Sequence, residues 1–529
     1  MSITDLFPEY ATTSSIDVLR EAEYSHLDTQ DHVYLDYTGS GLASQSQHLH
    51  HASRLQSTLY GNPHSINPTS QAATEEINAT RSRILSYLNA SPDEYAVIFT
   101  PNATGAARLV GESYPFRPSQ RLVLTADNHN SINGIRVMAA SKGTRTTYIP
   151  LETPSLRLDT NKVITALSSS GPSRILSNAR GLLKRVITGC MPHRSQALPA
   201  LSQEEKPRIP AGASSESHER KKKGLFAYPA QSNFSGVRHS LSLVSLAQQK
   251  GYDVLLDAAA YLPTSALDLS VIKPEFVTVS FYKLFGYPTG VGCLVAKKSA
   301  LSRLADRPWF SGGTIQAVTV GIQWHQMLSS ESPEKYEDGT VNFASIPDVK
   351  FGLDWISRVG MQVISTRVQC LTGWVLLRLG EMKHSDGRRM IRIYGPSLEN
   401  VKMRGGTVSF NILDAEGKVV DERIVALESA AARISLRTGC FCNPGVGEYA
   451  LGITKKKLRR LARNTTEGRL NGGLDRFIEL LELPSAGAVR VSFGIASNAA
   501  DVDRFFGFLE KTYKDRVTTS DGLDPRESC

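Results

Sequence analysis

The sequence predicts an α/β protein with a large unit on a mostly parallel sheet flanked by helices, then a smaller α+β unit. Three observations carry that expectation. Across residues 31–350, apolar, β-branched runs alternate with stretches of helical period. Each run ends in a turn rich in Gly, Asn, Pro or Ser. From about Phe351 the order changes to one long helical stretch followed by spaced strands. Regular strand–helix alternation implies right-handed crossovers, and so parallel neighbours.

Residues 1–30 form a polar lead-in, helical from Thr13 onward. Val33-Tyr-Leu-Asp36 is a short strand entering the turn Tyr-Thr-Gly-Ser-Gly41. A helix over Ser44–Tyr60 closes at the breaker cluster Gly61-Asn-Pro-His-Ser65. Ile77, Ile84, Leu85 and Leu88 recur at helical period over Gln71–Leu88. Strands follow at Tyr95–Thr100, Arg121–Thr125, Leu225–Tyr228, Tyr252–Asp257 and Phe276–Phe281, with helices after Pro101 and over Leu241–Lys250. The smaller unit, 351–515, has a helix to Leu379 and strands at Ile391–Tyr394, Thr407–Asn411 and Val489–Phe493; 516–529 is a tail.

Composition excludes several classes. With 41% hydrophobic and 21% charged residues the chain is ordinary for a globular protein. The net charge of +9 suggests nucleic acid until it is located. Residues 171–223 hold eleven Lys or Arg against four Asp or Glu, amid Ser, Pro and Ala, and read as a solvated insertion. The rest is near neutral, so no nucleic-acid partner is expected. No secretory leader and no membrane span are visible, and six scattered cysteines form no disulfide framework. A cytoplasmic location is expected, and no metal site.

Lys283 directly follows the strand Phe276–Phe281 and precedes a glycine-punctuated turn. Open α/β sheets bind ligands at the carboxyl ends of their strands. An isolated strand-end lysine reaches solvent; Lys283 is read otherwise because other strand ends carry groups that a lysine-bound pyridoxal phosphate needs. Pro101-Asn-Ala-Thr-Gly105 opens a helix, where the backbone at Ala103 and the hydroxyl of Thr104 suit a phosphate, or simply an Asn/Thr cap. Asp257 ends an apolar strand 26 residues before Lys283 and suits a pyridinium nitrogen; alone it would read as a helix cap. His129 follows another strand and could lie on the ring, although a lone loop histidine is commonly a surface residue. Asn233 suits the phenolic oxygen and Ser280 the phosphate.

In this order the chain resembles class V aminotransferase-fold enzymes of the cysteine desulfurase group, and most closely the amino-terminal domain of molybdenum cofactor sulfurases. The motifs are Tyr34-Leu-Asp36, Gly61-Asn-Pro-His-Ser65, Phe99-Thr-Pro-Asn-Ala-Thr-Gly105, Gln231-Ser-Asn-Phe-Ser-Gly236 and Leu256-Asp-Ala-Ala-Ala-Tyr261. Further along stand Ser280-Phe-Tyr-Lys-Leu-Phe-Gly286, Gly312-Gly-Thr314, Tyr336-Glu-Asp-Gly-Thr340, Leu436-Arg-Thr-Gly-Cys-Phe-Cys-Asn443 and Arg490-Val-Ser-Phe-Gly494. The resemblance implies the pyridoxal-phosphate transferase fold of type I, with a seven-stranded type of large sheet. It implies that Lys283 bonds the cofactor, that Asp257, His129, Asn233, Thr104, Ala103 and Ser280 hold it, and that Thr314 reaches a partner subunit's cofactor phosphate in a homodimer. Arg490 would grip the substrate carboxylate, with Asn233 beside it.

Cys442 aligns with the cysteine of the desulfurase loop R-x-G-x-x-C and would take sulfur from L-cysteine, leaving alanine, before passing it to an acceptor protein or cofactor. Cys440 would be auxiliary at best, and Gly439 and Gly445 would make the loop a mobile arm. Two positions depart from ordinary cysteine desulfurases: Ala260 replaces a glutamine and Tyr282 a histidine, both as in the cofactor-sulfurase branch. The carboxy-terminal molybdenum-cofactor-binding domain of full sulfurases is not expected within these 529 residues. The rival expectation is a pyridoxal-dependent C–S lyase or transferase of specialised metabolism that leaves Cys442 idle. A degenerate scaffold is disfavoured by the intact Lys283, Asp257 and Arg490.

Overall fold

The structure, a computed structural model, describes residues 2–169, 222–464 and 473–526. The basic stretch 171–223 lies outside the described residues except for Lys222 and Lys223.

Seven strands make the large sheet: β1 (Tyr95–Thr100), β2 (Arg121–Thr125), β3 (Arg145–Ile149), β4 (Gly224–Pro229), β5 (Tyr252–Asp257), β6 (Phe276–Ser280) and β7 (Gly292–Lys297). Their spatial order is β1-β7-β6-β5-β4-β2-β3. Only β7 runs against its neighbours; β3-β2-β4-β5-β6 are parallel pairs. Alternate residues feed two cores, as a sheet covered on both faces requires. Val97, Val123, Phe226, Val254 and Val277 face one side, and Ile98, Leu122, Leu225, Leu255 and Phe276 the other.

Register aligns the strand ends. Asp257 stands opposite Thr278 and Pro229, while Gly292 stands opposite both Ser280 and Thr100. A side chain at Gly292 would meet the Asn102 backbone at 2.5 Å, so the loop after β1 can lie against β7 only because that residue is glycine. The loops after β1, β4, β5 and β6 therefore converge on one edge.

The smaller sheet has β8 (Ile391–Tyr394), β9 (Thr407–Ile412), β10 (Arg437–Gly439) and β11 (Ala488–Ser492) in the antiparallel order β8-β9-β11-β10. Two helices, Ile346–Val359 and Met361–Glu381, precede it where the sequence suggested one; Gly360, at φ +91°, separates them.

The amino-terminal segment differs from expectation. Val33–Tyr34 pairs in parallel with Ile434–Ser435, and Asp36 bridges to Ser492 on β11. Buried Arg20 binds Asp501 at 2.7 Å, and Arg367 binds Asp17. The segment thus packs against the carboxy-terminal layer before crossing to Lys283. A two-residue strand has too little pattern to reveal its partner.

Candidate active site

Lys283 lies not on the strand but in the short helix Phe281–Phe285 that follows β6. The main chain turns sharply after it: Gly286 has φ +78°, and a Cβ there would sit 2.1 Å from the Ala43 nitrogen. The amino-terminal segment thereby closes over the turn, with the Gly41 N–H donating to the Tyr282 carbonyl at 3.0 Å.

The cleft around Lys283 is lined by Asn102, Ala103, Thr104, His129, Asn233, Asp257, Ser280 and Tyr282 among others. The structure thus brings together every sequence-predicted cofactor residue except Thr314, and leaves Arg490 just behind the cleft wall. Lys283 is half-buried, and its amine has no hydrogen bond or ion pair among the described residues. Burial chiefly, then Arg490 and Arg437, lower its pKa against the opposing pull of Asp257. A lysine held this way carries the neutral amine more readily.

Asp257 Oδ1 accepts from Thr278 Oγ1 and from the Ala259 N–H, both at 3.0 Å. Those bonds orient the carboxylate and leave Oδ2 without a protein partner among the described residues. Asn102 caps the helix Ala103–Ser113 by accepting from Gly105 N–H at 3.0 Å. The Ala103 N–H donates to Ser280 Oγ at 2.9 Å, and the exposed Thr104 hydroxyl meets Ser131 Oγ at 2.7 Å. A helix amino terminus with two hydroxyls is a fitting phosphate cradle.

His129 caps its own short helix: Nδ1 accepts from the Ser131 N–H at 3.1 Å. That bond makes Nε2 the protonated nitrogen of the neutral ring. Burial first, then the Lys283 charge, lower its pKa.

Three residues make structural contacts that the sequence did not suggest. Asn233 lines the cleft, but its amide nitrogen donates to the Phe441 carbonyl at 2.7 Å and its oxygen accepts from Asn443 at 2.9 Å. It ties the cysteine loop to the cleft. Thr314 lies outside the cleft, buried, with its hydroxyl donating to the Ser311 carbonyl at 2.8 Å. At Gly445 a Cβ would fall 1.8 Å from the Ala126 carbonyl oxygen, so glycine permits close docking of the loop. Asn443 reinforces the docking by donating to the Asp127 carbonyl at 2.8 Å. Within this loop Phe441 and Cys442 both have positive φ, +55° and +53°. Cys442 is an exposed free thiol, whereas Cys440 is disulfide-bonded.

Arg490, on β11, is 2% exposed. Its Nη2 donates to Asp36 Oδ1 at 2.8 Å and its Nη1 to the Asn233 carbonyl at 3.0 Å. Among the described residues the Nε is buried without a partner, and the guanidinium carbon lies 4.7 Å from the Phe441 ring centre. Sequence reading missed Asp36, Arg437 and Asn443 as site residues. Their signal was present, since all three stand inside the motifs Tyr34-Leu-Asp36 and Leu436–Asn443, but no chemistry had been asked of them.

A lysine with no partner among the described residues, an oriented acid and a helix-capped anion cradle define a lysine-centred α/β enzyme cleft. The chain belongs to the aminotransferase class-V family, whose pattern matches residues 33–171 and 206–505. It is 33% identical over 509 residues to the molybdenum cofactor sulfurase of Oryza sativa subsp. japonica, covering 94% of this chain and 58% of that protein. The molybdenum cofactor sulfurase of Homo sapiens is 31% identical over 516 residues, covering 94% and 51%. The chain thus spans between half and three-fifths of the length of these relatives. Among solved structures, a cysteine desulfurase from Thermococcus onnurineus NA1 superposes with a TM-score of 0.67 at 20% identity, covering 94% of this chain and 98% of that one. One from Escherichia coli gives 0.64 at 18%, covering 94% and 98%. The expected type I fold is therefore observed.

Proposed function

We propose that the protein is a pyridoxal-phosphate-dependent cysteine desulfurase that moves sulfur from L-cysteine to Cys442. The observation that carries this is the docking of the cysteine loop on the cleft wall: Asn233, a cleft residue, donates directly to the carbonyl preceding Cys442.

The residues fit the cofactor. Asp257 Oδ2 is the unpartnered acid oxygen for a ring nitrogen, Ala103, Thr104 and Ser280 form the phosphate cradle, and His129 would pack on the ring. Bound to Lys283, pyridoxal phosphate supplies an electron sink for charge developing at the substrate Cα. Arg490 has an unsatisfied Nε–H with which to receive the substrate carboxylate. Lys283 would take the Cα proton as a neutral amine, the form its burial favours. Cys442 then attacks the substrate sulfur as thiolate. The C–S bond of cysteine breaks and an S–S bond forms on Cys442, so cysteine plus thiol becomes alanine plus persulfide. An acceptor protein or cofactor in the cytoplasm consumes the persulfide.

The homodimer reading, in which Thr314 serves a partner's site, is supported by a hairpin of Ile315–Val318 and His325–Met327 that presents Val320 and Ile322 at 91% and 79% exposure. Trp309, Phe310 and Trp324 extend the apolar face. Among the described residues no helix is long and apolar enough to cross a membrane.

The second reading, a pyridoxal-dependent C–S lyase or transferase that leaves Cys442 idle, is favoured by the exposure of that thiol outside the cleft lining. Purified protein given L-cysteine, with alanine and sulfide measured, separates the two. Loss of alanine formation in Cys442→Ala with the cofactor absorbance intact supports the desulfurase; undiminished turnover in that variant establishes the second reading. Cofactor absorbance that survives Lys283→Ala would remove the cofactor assignment.

A further inference from the structure

Arg437 and Arg490 face each other directly across β10 and β11. Opposed like charges on neighbouring strands destabilise a sheet. This pair is tolerated because one carboxylate, from a segment more than four hundred residues away in sequence, serves both. Asp36 Oδ1 accepts from Arg490 Nη2 at 2.8 Å, while Oδ2 accepts from Arg437 Nε at 2.9 Å and Nη2 at 2.7 Å.

The backbone is built around the contact. Asp36 is held by its bridge to Ser492 on β11, and Thr38 N–H donates to Ser492 Oγ at 2.8 Å. A Cβ on Gly39 would lie 2.4 Å from Asp36 Oδ2 and 2.8 Å from Arg437 Nη2, so a methyl there would push the ion cluster out of place. The proposed desulfurase mechanism uses Arg490 and gives Asp36 no part.

We propose that Asp36 is the positioning residue of the substrate-carboxylate site, fixing Arg490 and Arg437 as one cluster that accepts a single carboxylate. Asp36 and the two guanidiniums sum to one positive charge, which the carboxylate of one amino acid neutralises. Arg490 has five N–H groups, of which Asp36 and the Asn233 carbonyl use two. Three remain for the substrate: the Nε–H and the second proton on each of Nη1 and Nη2. Asp36 therefore orients the fork without occupying it. This inference rests on the reading that Arg490 receives the substrate carboxylate.

The test compares Asp36→Asn, Asp36→Glu, Gly39→Ala and Arg490→Lys in the cofactor-loaded protein with L-cysteine and a thiol reductant. Charge alone predicts that deleting a carboxylate beside an anion site lowers KM; positioning predicts the opposite. Asp36→Asn is expected to raise KM about tenfold or more with kcat within about threefold. Gly39→Ala, which changes no charge, should shift KM in the same direction and carries the test if Asp36→Asn fails to fold. A second readout needs no turnover. In cofactor-free protein, phenylglyoxal modification of Arg437 and Arg490, mapped by mass spectrometry, should quicken in Asp36→Asn and Gly39→Ala. The inference is overturned if Arg490→Lys raises KM while the Asp36 and Gly39 variants leave it unchanged or lower it. An unchanged KM in Arg490→Lys would instead refute the carboxylate reading of Arg490 itself.

Discussion

The main-chain N–H of Asn130 donates to the carbonyl of Cys442 at 2.8 Å, one residue beyond His129. The proposed sulfur-accepting loop is therefore joined by backbone to the segment that holds His129. Loop position and cleft geometry are one structural unit, which is where a persulfide-forming thiol must work.

Gly445→Ala tests that unit. The added methyl would fall 1.8 Å from the Ala126 carbonyl, and backbone cannot yield there without moving the loop. Misplacing a reacting group by about 1 Å can cost roughly a hundredfold in rate. Alanine production should fall on that scale, with cofactor absorbance unchanged. Normal turnover in this variant would show that the docked loop is irrelevant to chemistry.

Lys283→Met in cofactor-free protein tests the electrostatics. The folded pKa of Lys283 is below its ordinary 10.5, so the folded state disfavours the charged amine. The destabilisation is full below the depressed value, shrinks as pH rises towards 10.5 and vanishes above it. Cofactor-free Lys283→Met should therefore melt higher than the cofactor-free wild type at neutral pH, with the gap narrowing in alkali. The same variant removes a charge that lowers the His129 pKa, so the imidazole resonances should titrate closer to 6.5 than in wild type. A gap independent of pH would mean that the lysine is not desolvated.

Arg20→Ala should destabilise the whole protein. Arg20 binds the buried Asp501 at 2.7 Å and donates to the Ala496 carbonyl at 2.7 Å. Removing it leaves an acid buried without its cation, at a cost of about 3–5 kcal/mol. Chemical denaturation should reveal the loss. Stability within about 0.5 kcal/mol of wild type would show that the amino-terminal segment is not anchored there.

Much of this arrangement was legible because continuous apolar runs end in informative residues. Tyr95–Thr100, Arg121–Thr125 and Tyr252–Asp257 begin and end where the sequence indicates. Two strands of the large sheet were not identified, β3 and β7. The first, Arg145–Ile149, is an edge strand of mixed polarity; the second, Gly292–Lys297, follows directly on the glycine-rich turn that masked it. Asp36 was visible as a motif but its partners were not, since no local pattern reports that residue 36 meets residues 437 and 490. Thr314 shows the converse: the role proposed for it needs a second chain, and within one chain its hydroxyl bonds Ser311 of its own loop.

The exposed hairpin then decides whether that second chain is a copy of the first. Val320 and Ile322 stand almost fully in solvent at the tip, with Trp324 and Val318 beside them. Contiguous apolar surface of this kind marks an interaction site, and a stable pair covers about 800 Å² on each partner. Wild type should sediment as a dimer, and the double variant Val320→Glu, Ile322→Glu as a monomer, because two carboxylates would be buried without cations. If Thr314 serves a partner's phosphate cradle, the monomer should also bind pyridoxal phosphate more weakly, measured by absorbance titration. A variant that remains dimeric would move the interface elsewhere; a monomeric variant with undiminished affinity would place Thr314 outside the partner's site.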